Sequence, residues 1–212
     1  FLSGSAWMLG MRWAMRLIGL VTTVILARLL DPVDFGIIAM ATIITGMLYM
    51  LTWTGVDLAL IKDQKSTDDH YNTAWTIQVI QGLLVGALLL IAAPFSENFF
   101  NEPAVVAVVQ AMALVAVIRS FSNIGIVEFR KKLNFQREFR YGVYGKLATF
   151  LVIVTAAYFI GNYWAIVVAM IAGSVLNVLL SYTMHHYRPR FSVGKWKESW
   201  SFSQWLLLSR IG

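Results

Sequence analysis

Two arginines lie inside the first long apolar stretch of the chain, where charged side chains are rare. Arg12 and Arg16 belong to residues 5–30, a stretch that is long enough to cross a bilayer at 1.5 Å per helical residue. At about 100° per residue, both arginines share one stripe of the helix with Thr23. An arginine at bilayer depth costs about 2.5–3.5 kcal/mol on insertion scales. We expect the stripe to face a water-filled cavity or a partner. The alternative is that the arginines reach the lipid headgroups, which is favoured more for Arg12, near the helix start, than for the deeper Arg16.

Three more charged side chains lie within later apolar stretches. They are Asp57, Arg119 and Lys146. Arginine presents a planar fork of donors that suits phosphate oxygens. We therefore interpret Arg12, Arg16 and Arg119 as candidate contacts for an anionic, phosphate-bearing group, and Asp57 and Lys146 as gating or ion-pair residues. The alternative for Asp57 is a structural ion pair with one of the arginines.

Uncharged polar residues also interrupt the apolar stretches. Gln78, Gln81, Asn123 and Asn177 are of this kind. Hydrogen bonding between helices is the more common role of such side chains in membranes, and contact with a substrate is the alternative. Gly55 predicts either a helix bend or close packing.

The composition is that of a membrane protein with several spans. Hydrophobic residues make up 58% of the chain and charged residues 13%, against about 25% charged residues in soluble domains. The mean hydropathy is +0.68. The chain has no cysteine, and its three histidines form no zinc pattern. We expect no metal and no cofactor, and the absence of a nucleophile elbow or a Walker A motif predicts that the chain is not an enzyme.

Six apolar stretches predict an all-α integral membrane protein with six transmembrane helices. The predicted spans are approximately 5–30, 35–61, 73–93, 104–127, 141–160 and 165–186. Together they make a six-helix unit over residues 1–190. Residues 191–212 predict a cytoplasmic amphipathic linker that leads into a seventh span. Because that span begins near the end of the sequence, and because the first residue is Phe1, we expect the chain to be part of a longer protein.

The loops alternate in charge. Eleven lysines and arginines lie in or beside the loops 2–3, 4–5 and 6–7, and they are Lys62, Lys65, Arg130, Lys131, Lys132, Arg137, Arg140, Arg188, Arg190, Lys195 and Lys197. The opposite loops contain no lysine or arginine, and their charged residues are Asp31, Asp34, Glu97 and Glu102. This asymmetry predicts that the N-terminus and the basic loops are cytoplasmic. Topology and contact with anionic lipids explain the basic loops, so we expect no nucleic-acid partner.

Several blocks of the chain resemble one family of transporters. They are SGSAW and LARLLDPVDFGIIAMATII in the first two spans, TGVDLALIKDQK at the end of the second, EFRKKLNFQREFR after the fourth, and HYRPRFSVGKWKESWSFSQWLLLSRIG leading into the seventh. In this order and spacing they resemble the Wzx-type polysaccharide and O-antigen flippases. The resemblance is to the colanic-acid exporter branch of the multidrug/oligosaccharidyl-lipid/polysaccharide exporter superfamily.

The resemblance implies a transporter of two six-helix lobes, of which this chain supplies the N-terminal lobe and the start of the second. It implies that an undecaprenyl-diphosphate-linked oligosaccharide moves from the inner to the outer leaflet of the bacterial cytoplasmic membrane by alternating access, for cell-surface polysaccharide synthesis. The implied partners are this substrate, membrane lipids and, through a functional association, the polysaccharide polymerase machinery. Cationic residues of the central cavity are implied to receive the diphosphate or acidic sugars, a role that falls by position on Arg12, Arg16 and Arg119.

Other functions remain open at this stage. A drug or small-molecule exporter of the same superfamily is one alternative, although a cation exporter should have an acidic cavity. An integral-membrane enzyme of envelope polysaccharide assembly is another, although the predicted outer loops are short. A non-transporting assembly subunit is a third, disfavoured by the cost of arginines at bilayer depth.

Overall fold

The computed structural model describes residues 2–63, 66–192 and 194. Within these residues the chain consists of helices and the turns that join them. The helices are α1 (Leu2–Leu29), α2 (Pro32–Thr52), α3 (Val56–Lys62), α4 (Asp68–Phe100), α5 (Ala104–Ser120), α6 (Val127–Lys131), α7 (Phe135–Ile160) and α8 (Trp164–Met184), with a 3-10 turn at Ile124–Ile126.

Five of these helices are long and apolar enough to cross a membrane. They are α1, α2, α4, α7 and α8. A sixth candidate consists of α5 with the 3-10 turn and α6, and it is bent by 67°. The prediction of an all-α membrane protein is therefore confirmed. The predicted linker and seventh span, residues 191–212, lie almost entirely outside the described residues.

Two of the predicted spans are interrupted in the structure. The span predicted at 35–61 consists of α2 and α3, which are separated at Gly55, a residue with a left-handed φ of +65°. The span predicted at 104–127 leaves the α-helix after Ser120 and continues as the 3-10 turn and α6. The Asn123 side chain starts this turn by accepting a hydrogen bond from the Gly125 N–H at 2.9 Å. The bend that Gly55 predicted is therefore present, and a second one follows α5.

The third predicted span is longer than expected. It was predicted to end at Pro94, but α4 runs through this proline. Membrane helices accept proline because nearby groups can satisfy the backbone that it leaves unpaired. Beyond Phe100, α4 ends at Asn101, which has a left-handed φ of 53°. The loop predicted at 94–103 is thus a short turn at 101–103.

Small residues set the closest helix contacts. Gly82 and Gly86 lie four residues apart on α4, where α5 packs against them. A Cβ atom at Gly82 would lie 2.2 Å from the Cβ of Ser120, and one at Gly86 would lie 2.8 Å from a methyl carbon of Val117. This is the small-xxx-small packing that brings membrane helices together without a hydrophobic driving force. Around this seam α2, α4, α5 and α8 enclose the main apolar core.

The two ends of the bundle differ in their charges and in their contacts. At the acidic end, which comprises the turns at 31, 101–103 and 161–163, Asp34 is buried. Its two carboxylate oxygens accept hydrogen bonds from the backbone N–H groups of Tyr163, at 2.9 Å, and Asp31, at 3.0 Å. One side chain thus joins the α1–α2 turn to the α7–α8 turn. The opposite end, which includes residues 63, 66–67, 132–134 and 185–192, carries the basic loops and is called the basic end below.

After α8 the chain runs in extended form along the first turns of α4. The hydroxyl of Tyr187 donates to the Asn72 side chain at 2.8 Å and to the Asp68 carbonyl at 3.0 Å. Burial, together with the nearby carboxylates of Asp68 and Asp69, raises the pKa of Tyr187 to about 12. The hydroxyl therefore stays protonated at physiological pH and fastens this segment to α4.

The α4–α5 seam generates a first prediction, which compares Gly82→Ala with Gly46→Ala. In the full-length protein, Gly82→Ala should lower the free energy of unfolding by about 1–3 kcal/mol, because a Cβ collides with Ser120. A Cβ atom at Gly46, in α2, would have no neighbour within 4 Å, so this substitution should cause no loss. Thermal unfolding in detergent measures both. Equal melting temperatures for the two variants would contradict the close packing of α4 against α5 at Gly82.

Candidate functional site

A cavity of about 400 Å³ opens between α1, α5, α6, α7 and α8, toward the basic end. We call it the main cavity. Its charged and polar lining residues are Arg119, Arg130, Glu138, Tyr141, Lys146, Thr149 and Asn177, and α1 contributes Met11 and Met15. Gly142 and Gly145 of α7 let two lining side chains pack closely, because a Cβ atom at either glycine would lie 2.5 Å from Met15 Cε or Asn177 Oδ1, respectively.

Two smaller cavities adjoin the main cavity, since some of the same residues line them. The α4 cavity, of about 340 Å³, is lined by Tyr49, Gln78, Gln81 and Arg119 among others. The α3 cavity, of about 170 Å³, is lined by Asp57, Gln78, Arg130, Glu138 and Tyr141 among others. Arg119 therefore faces both the main and the α4 cavity. Together the three form a continuous polar region on one side of the bundle.

The charged side chains that line the main cavity are mainly cationic. Arg130 pairs with Glu138, with 2.6 Å between Nε and Oε1. Arg119 donates from Nε to the Ser174 hydroxyl at 3.3 Å. Within the part of the chain that the structure describes, no carboxylate lies within 4.0 Å of the cationic nitrogens of Arg119 or Lys146. These two side chains are therefore available to an anion in the cavity.

Asp57 lies at the edge of this region. It is in the first turn of α3 and lines the α3 cavity beside Arg130. Among the described residues it forms no salt bridge with Arg12, Arg16 or Arg119. The structural ion pair with one of these arginines, which is the alternative interpretation of Asp57, is therefore not formed among these residues.

The structure brings only some of the predicted residues together. Arg119 and Lys146 share the main cavity, whereas Arg12 and Arg16 lie on the exposed face of α1. The α1 face that packs on α7 carries Met15, which contacts Gly142. The arginine stripe thus points away from α7, out of this six-helix unit.

Several lining residues were missed by the sequence argument. Residues 129–140 were interpreted as a basic loop, but α7 already begins at Phe135 and places Glu138 and Tyr141 in the cavity wall. The spacing of Glu138, Tyr141, Gly145 and Thr149 follows one helical face. Their polar and small character was the signal that could have found this face.

The uncharged polar residues act mainly within the protein. Asn123 donates from Nδ2 to the Tyr187 carbonyl at 2.7 Å, which ties the bend after α5 to the segment after α8. Asn177 donates to the Gly173 carbonyl one turn earlier in α8, at 2.7 Å, and its side chain also faces the main cavity. The Asn123 bond joins two segments of the protein, as the structural interpretation predicts, whereas the Asn177 bond stays within α8.

The chemistry available in the main cavity is that of binding. Arg119 and Lys146 supply positive charge, and Tyr141, Thr149 and Asn177 supply groups that can bond with hydroxyls. Among the described residues, no three histidine, cysteine, aspartate or glutamate side chains lie together as a metal site. The arrangement suits a ligand that carries both negative charge and hydroxyl groups.

Comparison with known proteins gives a consistent set of relatives. Residues 25–212 match a family model described as "Polysaccharide biosynthesis protein". The succinoglycan biosynthesis transport protein ExoT of Rhizobium meliloti is 21% identical over 172 residues, which cover 81% of this chain and 35% of ExoT. The lipopolysaccharide biosynthesis protein WzxC of Escherichia coli K12 is 22% identical over 202 residues, which cover 92% of this chain and 40% of WzxC.

A third relative is an uncharacterised membrane protein in the cps region of Klebsiella pneumoniae. It is 22% identical over 183 residues, 85% of this chain and 38% of the relative. The chain thus spans 35% to 40% of the length of these relatives. No solved structure matches the chain.

A second prediction tests whether water reaches the main cavity. The chain has no cysteine, so Lys146→Cys and Leu151→Cys can each be made in the full-length protein with any other cysteine replaced. Leu151, also on α7, is exposed on the apolar surface. A charged methanethiosulfonate should modify the cysteine at 146 about tenfold faster or more, because the reactive thiolate forms only where water solvates its charge. Equal rates in membranes would show that the cavity is dry or closed.

Proposed function

The chain belongs to the polysaccharide biosynthesis protein family, and we propose that it is the N-terminal lobe of a flippase for lipid-linked oligosaccharides. The proposed cargo is an undecaprenyl-diphosphate-linked oligosaccharide, which moves from the inner to the outer leaflet of the bacterial cytoplasmic membrane. Once there, it becomes available to a polysaccharide polymerase. The names of ExoT and WzxC support a role in polysaccharide transport and synthesis.

The observation that carries this proposal is the pair of cations in the main cavity. Arg119 and Lys146 line it, and the described residues include no carboxylate partner for either. A diphosphate between lipid and sugar presents several charged oxygens, which the guanidinium fork of arginine can bind in pairs. In a space partly shielded from water, each of these charge-assisted hydrogen bonds is worth about 1.5–3 kcal/mol.

The sugars and the polyprenyl chain of the proposed cargo can also be accommodated. Sugar hydroxyls can bond with Tyr141, Thr149 and Asn177 in the same cavity. The polyprenyl chain stays in the lipid beside the apolar helix faces. We assign the positive-inside orientation to the chain, with its N-terminus cytoplasmic, so that the basic end and the main cavity face the leaflet in which the cargo is made.

Arg12 and Arg16 have a different proposed role, because they lie outside the main cavity. They lie on the exposed face of α1, next to the cavity wall formed by Met11 and Met15. An exposed arginine at bilayer depth is costly unless it meets water or an anion. We propose that this face borders the transport path between the two lobes, which alternate in access.

The alternative functions fit the cavity less well. An exporter of cationic drugs should present uncompensated acids in its cavity, but the acid of the main cavity, Glu138, is paired with Arg130, and the excess charge in that cavity is positive. An external active site for envelope synthesis would need larger structures at the acidic end, where the turn at 101–103 has only three residues.

Arg119 provides the third prediction. In a strain that lacks the gene, full-length Arg119→Ala should reduce surface polysaccharide about tenfold or more and let the lipid-linked precursor accumulate, because one charge-assisted contact is lost. Arg119→Lys should retain part of the activity, because it keeps the charge without the fork. Arg137→Gln, at an exposed position of the first turn of α7, is the matched control and should export normally.

The same assay separates the two interpretations of Arg16. Arg16→Ala should also lose surface polymer at equal protein level, with partial rescue by Arg16→Lys. Normal export by Arg16→Ala would assign Arg16 to lipid headgroups or packing. Normal export by Arg119→Ala would contradict the proposed cargo site itself.

A further inference from the structure

Both interrupted spans meet the same face of α4. Gln78 and Gln81 lie three residues apart, so their side chains point in similar directions from the helix. Both line the α4 cavity. Gln78 contacts the bend after α5, and Gln81 contacts the break between α2 and α3, through hydrogen bonds.

At the first bend, Gln78 replaces backbone hydrogen bonds that the end of α5 leaves open. Its Nε2 donates to the carbonyl of Ser120 at 2.8 Å, and to the carbonyl and hydroxyl of Ser122 at 3.1 Å each. The last carbonyls of a helix have no partner within the helix, and in a membrane another group must satisfy them. One amide therefore stabilises the whole turn at 121–123.

At the second break, Gln81 is an acceptor. The hydroxyl of Thr54 donates to its Oε1 at 3.1 Å. Thr54 is the middle residue of the three that separate α2 from α3, and it precedes the left-handed Gly55. A single turn of α4 thus holds both places at which the spanning helices are interrupted.

Beyond the two breaks, the short helices pack on each other and on α4, and the Arg130–Glu138 ion pair also joins α6 to α7. Val56 and Leu60 of α3 are buried with Ile124 against Trp75 and Ile77 of α4. This apolar cluster is distinct from the main core between α2, α4, α5 and α8. The breaks therefore divide the packing of the bundle as well as its helices.

This unit of α3 and α6 forms one wall of the polar region. Asp57 of α3 and Arg130 of α6 both line the α3 cavity, and Arg130 also lines the main cavity. Any movement of the unit relative to α4 changes the width of these cavities at the basic end. At the acidic end, where Asp34 joins two turns by hydrogen bonds, a third apolar cluster that includes Leu30 and Ala165 packs beside the main core.

We propose that α3 and α6 move together as a gate at the basic end of the cavity, and that Gln78 and Gln81 are the positioning residues that hold its two hinges in one register. The proposal rests on the transport function proposed above, which gives the gate its purpose. Its test uses distances within the protein, so it needs no substrate.

Three spin-label pairs can test the gate in the full-length protein, in a background without other cysteines. The label positions are Leu58→Cys on α3, Lys132→Cys at the end of α6 and Val33→Cys on α2 at the acidic end, all of them exposed. The pair 58–132 lies within the gate, and the pairs 33–58 and 33–132 cross the hinges. Electron–electron double resonance measures the distribution of each distance.

In Gln78→Leu, both hinge-crossing distances should broaden or become bimodal while the 58–132 distance stays narrow. A lost hydrogen bond changes the ratio of gate positions by about fivefold. Gln81→Leu, which removes one hydrogen bond, should act in the same direction with a smaller change. Gln110→Leu on the exposed face of α5 is the matched control and should match the unsubstituted protein.

Two results would overturn the gate. One is unchanged hinge-crossing distances in both Gln78→Leu and Gln81→Leu. The other is broadening of the 58–132 distance along with the rest, which would show general loosening instead of a moving unit. Should Gln78→Leu fail to accumulate as folded protein, the Gln81→Leu distances decide alone. None of these results bears on Arg119, so the gate and the cargo site succeed or fail separately.

Discussion

Every backbone polar group at bilayer depth needs a hydrogen-bond partner other than lipid, and this requirement shapes the lobe. Where α5 ends at Ser120, an amide from α4 satisfies the open carbonyls. Where α2 ends, Thr54 and Gln81 bond with each other. Irregular backbone is tolerated in a membrane only where protein or water lines it. Accordingly, Ser120 and Ser122 at the bend after α5 line the α4 cavity and the α3 cavity, respectively. The cavity and the interruptions are thus two consequences of one constraint.

The sequence predicts the number of membrane spans, because its six apolar stretches correspond to the five long helices and the bent sixth candidate, but it does not predict the breaks within two of these spans. Long apolar stretches and alternating loop charges are signals summed over many residues, so a single unusual residue does not change the predicted number of spans. A break of three residues, such as the one around Thr54, disappears in such sums. Gly55 gave a local hint that the structure confirms. The bend after α5 depends on Asn123 and on Gln78, which is 42 residues away from Ser120, and no local pattern contains that contact.

The site was predicted in part, for a similar reason. Helical periodicity shows that Arg12 and Arg16 share a face, but it does not show toward which neighbour that face points. Since α1 is apolar on several sides, the packing of Met15 against Gly142 decides its rotation. Lys146 and Arg119 come together only because α5, α7 and α8 enclose the same space. That these two side chains line one cavity, and that Glu138 lies in its wall, depends on how the helices pack and is not contained in the local sequence.

The most direct test of the central claim is a binding measurement on the full-length protein. Native mass spectrometry can compare a polyprenyl diphosphate with the uncharged polyprenol of the same length, for the unsubstituted protein and for Lys146→Ala and Arg119→Ala. A cationic cavity predicts that the diphosphate lipid binds more tightly than the polyprenol, and that each substitution weakens only the diphosphate lipid, by about tenfold. Equal binding of the two lipids, or unchanged affinity for the diphosphate lipid in both variants, would contradict a cargo site at Arg119 and Lys146.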